Sequence, residues 1–381
     1  MKLHLPKGLF TAILAAFAVV TPSVYGADSI SISFGDTTMS GVADEASHLG
    51  GVTKGGWNIV AASNTNGTTV NNQNGTAAGT LVMSGIFGSW SSSVTDTNTV
   101  TGVVQRNYID IKNHDGGNVH TISLSHNYWL ADVTYYLSGD DNGTWAPMEV
   151  NGTQYIGGTD NTLDEGENPA WGTRGGVTEY GDGNSITVTG LASGTIVGKN
   201  VCTSDDARAT LGGMQVVDSS ATRGYMTTLG AGETTATAAT WTLNGQEVQY
   251  GNISTPKSLG VSAAAEGSTL KLASGDSINS IAVQANTLTV ASDGTIGLND
   301  IYLNSGTTFN LNAGVTSGTN LSVRGAGTAH INASQTLGNL NLSSDLTTFD
   351  IGNNATVAVN GAFSIGNRTA LAMAEGSKLS L

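Results

Sequence analysis

The chain has 381 residues, of which only 11% are charged, 52 are glycine and 5 are proline. Long amphipathic helices need many Glu, Lys, Leu and Ala residues, so this composition favours short strands joined by turns and predicts an all-β fold. The 29 acidic side chains outnumber the 14 basic ones. Such a chain repels the phosphate backbone, which excludes nucleic acid as a partner.

The first 26 residues have the pattern of a cleaved signal peptide. Two lysines precede an apolar run of about a dozen residues, and Val24 and Gly26 are small residues at the two positions that a signal peptidase reads. We expect cleavage after Gly26 and a protein that is secreted or held at the outer cell surface. The alternative is a membrane anchor, which needs about 20 apolar residues, and Pro22 arrives too early for that. No later segment is apolar enough to form a transmembrane helix.

Cleavage would remove two of the 14 basic residues, Lys2 and Lys7, so the mature chain would carry a net charge of about −17. Cys202 is the only cysteine, which rules out an intramolecular disulfide. Because no motif flanks this thiol, we interpret it as a small buried apolar residue rather than a nucleophile.

Residues 27–220 contain several stretches in which apolar and polar residues alternate, separated by AspGly, AsnGly and GlyGly turns. Such alternation indicates strands with one buried face. The region therefore predicts a jelly-roll-like antiparallel β-sandwich. The alternating stretches are Ser29–Phe34, Tyr108–Ile111, Val119–Leu124 and Ser185–Val188.

Residues 221–240 are rich in Thr, Ala and Gly and are expected to be a linker, with a new strand opening at Trp241. From there to residue 381 apolar, polar, apolar triplets recur about every 20 residues, which predicts a parallel β-helix, a β-solenoid with one strand set per coil. Two columns of inward side chains are expected: Leu311, Ile331, Ile351 and Leu371, each with a partner two residues earlier, and Val283, Leu303, Val323 and Leu342. Further upstream, Leu270 and Leu272 are expected to pair with Leu288 and Val290.

An antiparallel sandwich is the alternative for this region, but it would need turns at closer spacing and no fixed longer period. We expect about six coils between Ser268 and Leu381, with a spacing of about 4.8 Å. On the outside, Asn310, His330 and Asp350 should stack as neighbours, either as an ordinary solvated ladder or as a metal-binding or pH-sensitive group. The alternation continues to Leu381, and an uncovered last coil would promote aggregation, so we expect either a longer protein or something else that covers this end.

Four short segments carry a resemblance to known exported proteins: ISISFG at residues 30–35, GGWNIV at 55–60, VTYYLSGDDNGTW at 133–145 and LGGMQVV at 211–217. Together they resemble a secreted β-sandwich module at the N-termini of exported proteins of the Verrucomicrobia group. The Asn-, Gly- and Thr-rich coils downstream resemble the autotransporter-associated β-strand repeat of passenger domains. The resemblance implies a surface-exposed, passenger-like or adhesin-like protein, and such sandwich modules are often proposed to bind carbohydrate.

Aromatic residues in or near the loops of the sandwich are candidates for stacking on sugar rings. Trp145 and Trp171 lead because Pro and Gly surround them, followed by Tyr155 and Trp129. Most tryptophans of a small sandwich are core residues, which is the competing interpretation.

Two acidic loops, at 140–143 and 160–167, are candidate calcium sites, because calcium takes six to eight oxygen ligands and glycine lets the chain curl around the ion. The candidate ligands are Asp140, Asp141, Asp160 and Asp164. Neither loop has the EF-hand spacing, and a solvated turn without any cofactor is the simpler interpretation.

Catalytic signatures such as HExxH, GxSxG and the P-loop are absent from the sequence. His120 and His126 lie on one face of a predicted strand, where we expect a surface or cleft position rather than a zinc site. The leading hypothesis is therefore a non-enzymatic surface protein, a sandwich head on a solenoid stalk, whose partners are glycans or host cell-surface molecules. A carbohydrate-binding module, with calcium if the acidic loops hold it, is the first alternative, and a β-helix glycan hydrolase or lyase is the second.

Overall fold

The computed structural model describes residues 28–42, 52, 54–61, 65–86, 88–91, 98–112, 120–137, 144–145, 148–150, 153–155, 185–200, 207–263, 266–343 and 345–381. The predicted signal peptide, Cys202, Trp171 and the four candidate calcium ligands Asp140, Asp141, Asp160 and Asp164 lie outside these residues. The described chain is almost entirely β, as its composition predicts.

The N-terminal unit, residues 28–218, is built on one large sheet. Its elements are β1 Ser29–Phe34, β2 Trp57–Val60, β3 Thr65–Asn71, β4 Ala77–Ser84, β5 Gly88–Ser91, α1 Val100–Arg106, β6 Asn107–Lys112, β7 His120–Leu137, β8 Thr144–Trp145, β9 Met148–Val150, β10 Thr153–Tyr155, β11 Ser185–Asn200 and β12 Ala207–Asp218. The four stretches expected as strands lie in strands as far as the structure describes them, the third from His120 onward, and β1 has the predicted bounds.

The long strand β7 gives this unit its two-layered shape. Its first part pairs with β4 and its last part pairs with β12, while β11 follows it almost throughout. The two layers enclose one core, and β4 comes so close to β1 that a Cβ on Gly79 would lie 3.3 Å from Ile30. The layers are therefore parts of one continuous sheet, unlike the two separate sheets of a jelly roll, and two of its pairs, β1–β2 and β8–β12, are parallel.

All six residues of β1 are buried, although the alternation of Ile and Ser predicts one exposed face. Ile30 lies in the main core, and a second apolar cluster that includes α1 packs elsewhere in the unit. The buried serines have hydrogen-bond partners: Gln215 donates to Ser31 at 3.0 Å and Asn107 donates to Ser33 at 3.1 Å. A polar strand face can be buried in this way because its hydroxyl groups are satisfied.

A short helix, α2 Ser220–Arg223, joins this unit to the solenoid, residues 225–381. The solenoid strands are β13 Tyr225–Leu229, β14 Gly232–Thr235, β15 Trp241–Leu243, β16 Gln246–Val248, β17 Lys257–Ala263, β18 Ser268–Leu272, β19 Ser277–Ala285, β20 Thr287–Ser292, β21 Thr295–Leu303, β22 Thr308–Leu311, β23 Gly314–Val315, β24 Thr319–Gly325, β25 Thr328–Ile331, β26 Gln335–Leu342, β27 Thr348–Ile351, β28 Thr356–Val359, β29 Phe363–Ile365, β30 Ala370–Met373 and β31 Lys378–Ser380.

These strands form the predicted parallel β-solenoid. One wall is a seven-stranded parallel sheet in the order β14-β18-β20-β22-β25-β27-β30. The opposite wall is the long sheet that runs from β13 through β17, β19, β21, β24, β26 and β28 to β31. From β18 onward the first wall has six strands among the described residues, in agreement with the expected six coils.

The expected linker 221–240 is in fact the first coil of the solenoid. β13 pairs in parallel with β17, and β14 pairs in parallel with β18. Beyond β13 the hairpin β15–β16 adds two antiparallel strands to the edge of the long sheet. Its turn residues Asn244 and Gly245 have φ of 51° and 74°, the positive values that a two-residue hairpin turn needs.

The column of inward side chains predicted at Leu311, Ile331, Ile351 and Leu371 has the expected register at its first three positions and not at the last. Leu311, Ile331 and Ile351 are aligned, with Phe309, Ala329 and Phe349 beside them. Leu371 is aligned with Phe349, and Met373 takes the place after Ile351 that we expected Leu371 to occupy. This last coil is longer, and its turn absorbs the extra residues while the apolar pair stays inward.

Two other expected pairings are also corrected by the structure. Leu270 lies beside Val290, and Ser268 lies beside Leu288. In the long sheet Val283 does pair with Leu303 and Val323 with Leu342, but Val323 lies beside Ile301 and Gly325 takes the place next to Leu303. A Cβ at Gly325 would lie 2.1 Å from the Leu303 carbonyl oxygen, so this position admits no side chain.

Candidate binding cleft between the N-terminal unit and the solenoid

The N-terminal unit lies along the side of the long solenoid sheet, and the contact centres on β7. The indole Nε1 of Trp129 donates to the Ser280 hydroxyl at 2.7 Å, and the Tyr302 hydroxyl donates to the Asn127 carbonyl oxygen at 2.7 Å. Ser280 and Tyr302 belong to strands β19 and β21 of neighbouring coils. The N-terminal unit therefore contacts coils beyond the first one, to which it is joined in sequence.

A buried ion pair lies at the centre of this contact. Arg324 donates from Nε and Nη2 to the two carboxylate oxygens of Asp300, at 2.6 and 2.8 Å, and Nη2 also donates to the Trp129 carbonyl oxygen at 3.1 Å. The side chains of Arg324 and Asp300 are 6% and 8% exposed. Burial raises the pKa of the Asp300 carboxyl above its ordinary value, and the Arg324 guanidinium opposes that rise.

His126 lies beside this ion pair and is nearly inaccessible. Burial, with a smaller contribution from the charge of Arg324, lowers the pKa of His126 from 6.5 to about 3, so its ring is neutral at neutral pH. Its Nδ1 accepts a hydrogen bond from the Tyr128 amide at 3.3 Å. In a neutral imidazole the other nitrogen then carries the proton, which makes Nε2–H a buried donor.

Next to this contact a cleft of about 770 Å³ opens between the β3–β4 hairpin and the solenoid. His126 and Arg324 both line it. Most of the other lining side chains end in a hydroxyl or an amide: Thr69, Thr80, Ser125, Asn127, Asn341, Ser343, Ser364 and Asn367. Asp345 and the exposed Arg368 supply the remaining charges.

The solenoid side of the cleft repeats from coil to coil. Asn341 on β26 lies directly beside Ser364 on β29, and the Ser364 hydroxyl donates to the Asn341 side-chain oxygen at 2.6 Å. Neighbouring parallel strands are about 4.8 Å apart, so the cleft presents polar groups at the spacing of the coils. Such a surface suits an extended polar chain with hydroxyl groups along its length.

A smaller cleft of about 430 Å³ shares Asn127 and Tyr302 with the first one. It is lined by Asp28 and Asp218 in place of arginines. The two clefts therefore differ in charge although they border the same contact.

The candidate aromatic residues are placed differently from one another. Trp129 is 2% exposed and forms part of the contact with the solenoid, so its ring is not the exposed platform that we expected. Trp145 lies in β8 and Tyr155 in β10, strands of the N-terminal sheet. The structure does not describe the side chains of Trp145 and Tyr155.

The external ladder is present in the predicted register. Asn310 pairs with His330 and His330 with Asp350, and His330 Nδ1 lies 2.8 Å from an Asp350 carboxylate oxygen. Among the described residues no group of three or more His, Cys, Asp or Glu side chains is arranged to hold a metal ion.

Sequence reasoning placed His126 at a surface or cleft, and the structure places it at a cleft. It missed Arg324, Asp300 and Tyr302, which complete the contact. Their positions in the coil pattern mark them as outward-facing, and nothing in the local sequence shows that β7, nearly 200 residues earlier, covers them.

Comparison with known proteins adds little to this geometry. No protein-family model and no curated protein matches the sequence. A crystal structure of the protein YXIM from Bacillus subtilis is similar over 69% of this chain and 74% of its own, with 10% identity and a TM-score of 0.26. That score is too low to support an argument about fold or function.

The fold and the cleft define the class of molecule: a parallel β-solenoid protein with a β-rich N-terminal unit docked along one wall. None of the helices in the described part of the chain has the length and apolar character needed to cross a lipid bilayer.

Proposed function

We propose that this chain is a non-enzymatic secreted or cell-surface protein of the passenger or adhesin type. The observation that supports the proposal is the docking of the N-terminal unit along the solenoid through three hydrogen bonds, one of them donated by Arg324, whose charge is paired with Asp300. A solenoid is long and grows by stacking coils, so it suits a protein that displays a binding surface. In this molecule the N-terminal unit lies beside the solenoid, and the displayed surface is the cleft between the two.

Export is tested by producing the full chain in a bacterium with a general secretion machinery and measuring the intact mass of the exported protein. The expected mature chain begins at Ala27, because Gly26 is the last residue of the predicted signal peptide. A protein that keeps Met1 and stays in the cytoplasm would contradict the proposal. Turnover of any polysaccharide by the purified chain would contradict its non-enzymatic part.

Carbohydrate binding is the second candidate, and the polar cleft favours it. Protein sites for sugars need hydroxyl and amide groups that exchange hydrogen bonds with sugar hydroxyls, and the cleft has eight such side chains. Trp145, Trp171 and Tyr155 remain candidate stacking residues of a second, loop-borne site, with calcium as its proposed ion. A ligand that fills the cleft would contact the N-terminal unit and the solenoid at once.

A glycan array with the full chain tests this candidate and locates the site. If the cleft binds the glycan, the double variant Asn341→Ala with Ser364→Ala loses the signal and Trp145→Ala keeps it. The opposite pattern would place the site in the loops of the N-terminal unit. Silence of the wild-type chain on every glycan would leave the display role without carbohydrate binding.

A further inference from the structure

Three buried polar groups that line the cleft have no hydrogen-bond partner among the described residues. They are Nε2 of His126, Nη1 of Arg324 and the Ser343 hydroxyl, and the two nitrogens are donors. A buried polar group without a hydrogen-bond partner costs about 1–3 kcal/mol, and native proteins keep few of them. The side chains of His126 and Arg324 line the same cleft.

The other hydrogen bonds of the Arg324 guanidinium indicate which chemical group its free Nη1 prefers as a partner. Its other two nitrogens donate to a carboxylate, that of Asp300, with the paired geometry that carboxylates favour. A second carboxylate would supply two acceptor oxygens and no donor, which complements Nε2–H and Nη1–H. A hydroxyl group offers a single oxygen and brings a donor of its own.

The cleft lining is also less negative than the chain as a whole, which favours this place over others for an anionic ligand. Asp300 balances Arg324, and Arg368 balances Asp345, so the lining is neutral in a chain whose net charge is −15. The cleft is thus a part of the surface where an anionic ligand meets little of the general repulsion. Arg368 is exposed at the solenoid side of the cleft, where it can meet a charge on a longer ligand.

We propose that the cleft binds a glycan chain that carries carboxylates, and that His126 and Arg324 form the subsite for one uronate group. This rests on the proposed carbohydrate binding and adds the class of sugar. The hydroxyl and amide side chains hold the neutral parts of the chain, and Arg368 attracts a further uronate. The two donors are shielded from solvent, so side chains at the wall have to move before a ligand can reach them.

The test uses short oligogalacturonates and the same oligosaccharides with methyl-esterified carboxyl groups, titrated calorimetrically into the full mature chain. The ester keeps every hydroxyl, removes the charge and adds only a methyl group. We expect the acid form to bind at least about tenfold more tightly, the size of effect that a charged hydrogen bond gives. Equal affinity of acid and ester would overturn the uronate subsite while leaving glycan binding in place.

Three variants locate the subsite. His126→Phe removes the donor and keeps a planar ring, and Arg368→Gln removes an exposed guanidinium. Each is expected to weaken binding of the acid about tenfold and to leave binding of the ester unchanged. Lys271→Gln, which removes the same charge on the opposite wall of the solenoid, is expected to change neither.

A loss with Lys271→Gln as large as with Arg368→Gln would show general attraction of anions and overturn the subsite. An acidic peptide that binds as tightly as the oligogalacturonate would overturn the assignment to a glycan. If His126→Phe does not fold, as judged by circular dichroism, Arg368→Gln decides the result. Failure of both oligosaccharides to bind the wild-type chain, together with a silent glycan array, would end both this inference and the proposed carbohydrate binding.

Discussion

His126 is a neutral imidazole buried next to a guanidinium, and this has a consequence for stability. In the unfolded chain its pKa is 6.5, and in the folded protein burial and Arg324 lower its pKa to about 3. Between these two values the unfolded chain binds a proton that the folded chain does not bind. The contribution of His126 therefore destabilises the protein increasingly as the pH falls below 6.5.

The variant His126→Phe removes this contribution. We expect its stability relative to the wild type to increase by about 2 kcal/mol between pH 7 and pH 5, since each unit of pKa difference is worth about 1.4 kcal/mol. Urea unfolding of both chains at the two pH values measures the change. Asp300 is present in both chains, so its own titration largely cancels from the comparison. Parallel pH profiles would show that His126 is not buried in the folded protein.

At the scale of the element, each coil is stabilised by the side chains that it stacks on its neighbours. Phe309, Ala329 and Phe349 form one internal column, in which the small Ala329 separates two phenylalanines. Phe349 is 1% exposed. This alternation of large and small residues fills a narrow interior without strain.

Phe349→Ala should lower the free energy of unfolding by about 3–5 kcal/mol, because it removes a buried ring and leaves a cavity between two coils. Phe363→Ala is the matched control, since Phe363 is only partly buried at the edge of the core. We expect a clearly smaller loss there. Denaturant unfolding measures both variants, and equal losses would mean that the column does not form the core of these coils.

For the whole molecule, the two ends of the solenoid differ. The first coil is extended by the β15–β16 hairpin, and the Trp241 indole in this region is fully buried, with Nε1 donating to the Ala236 carbonyl oxygen at 2.8 Å. The last coil exposes Ile365, Leu371 and Met373 at 41%, 38% and 49%. Among the described residues, strands β30 and β31 end their sheets next to these apolar side chains.

An open strand edge with exposed apolar side chains promotes association between chains. We expect the double variant Ile365→Lys with Met373→Lys to self-associate less than the wild type at high protein concentration. Val82→Lys is the control, because Val82 is a similarly exposed apolar residue on β4, a strand of the N-terminal sheet. Sedimentation velocity of the chain measures the difference. An equal decrease for Val82→Lys would attribute the effect to added charge alone.

The sequence by itself determined the all-β class, the strand stretches of the N-terminal unit and the stacking of coils with a period near 20 residues. Local patterns suffice for these features, because alternation and turn residues act within a few positions and a repeat shows its own register. The register predicted from these patterns was wrong where a turn changed length, as at Leu371 and Val323.

Only the tertiary structure decided how the N-terminal unit lies along the solenoid. That arrangement buries Trp129, which the sequence suggested as an exposed platform, and makes Arg324 and Asp300 a buried pair although their places in the coil face outward. The cleft exists because β7 meets coils that follow it by nearly 200 residues. Contacts over such separations depend on the shapes of two folded surfaces, and no short stretch of sequence encodes those shapes.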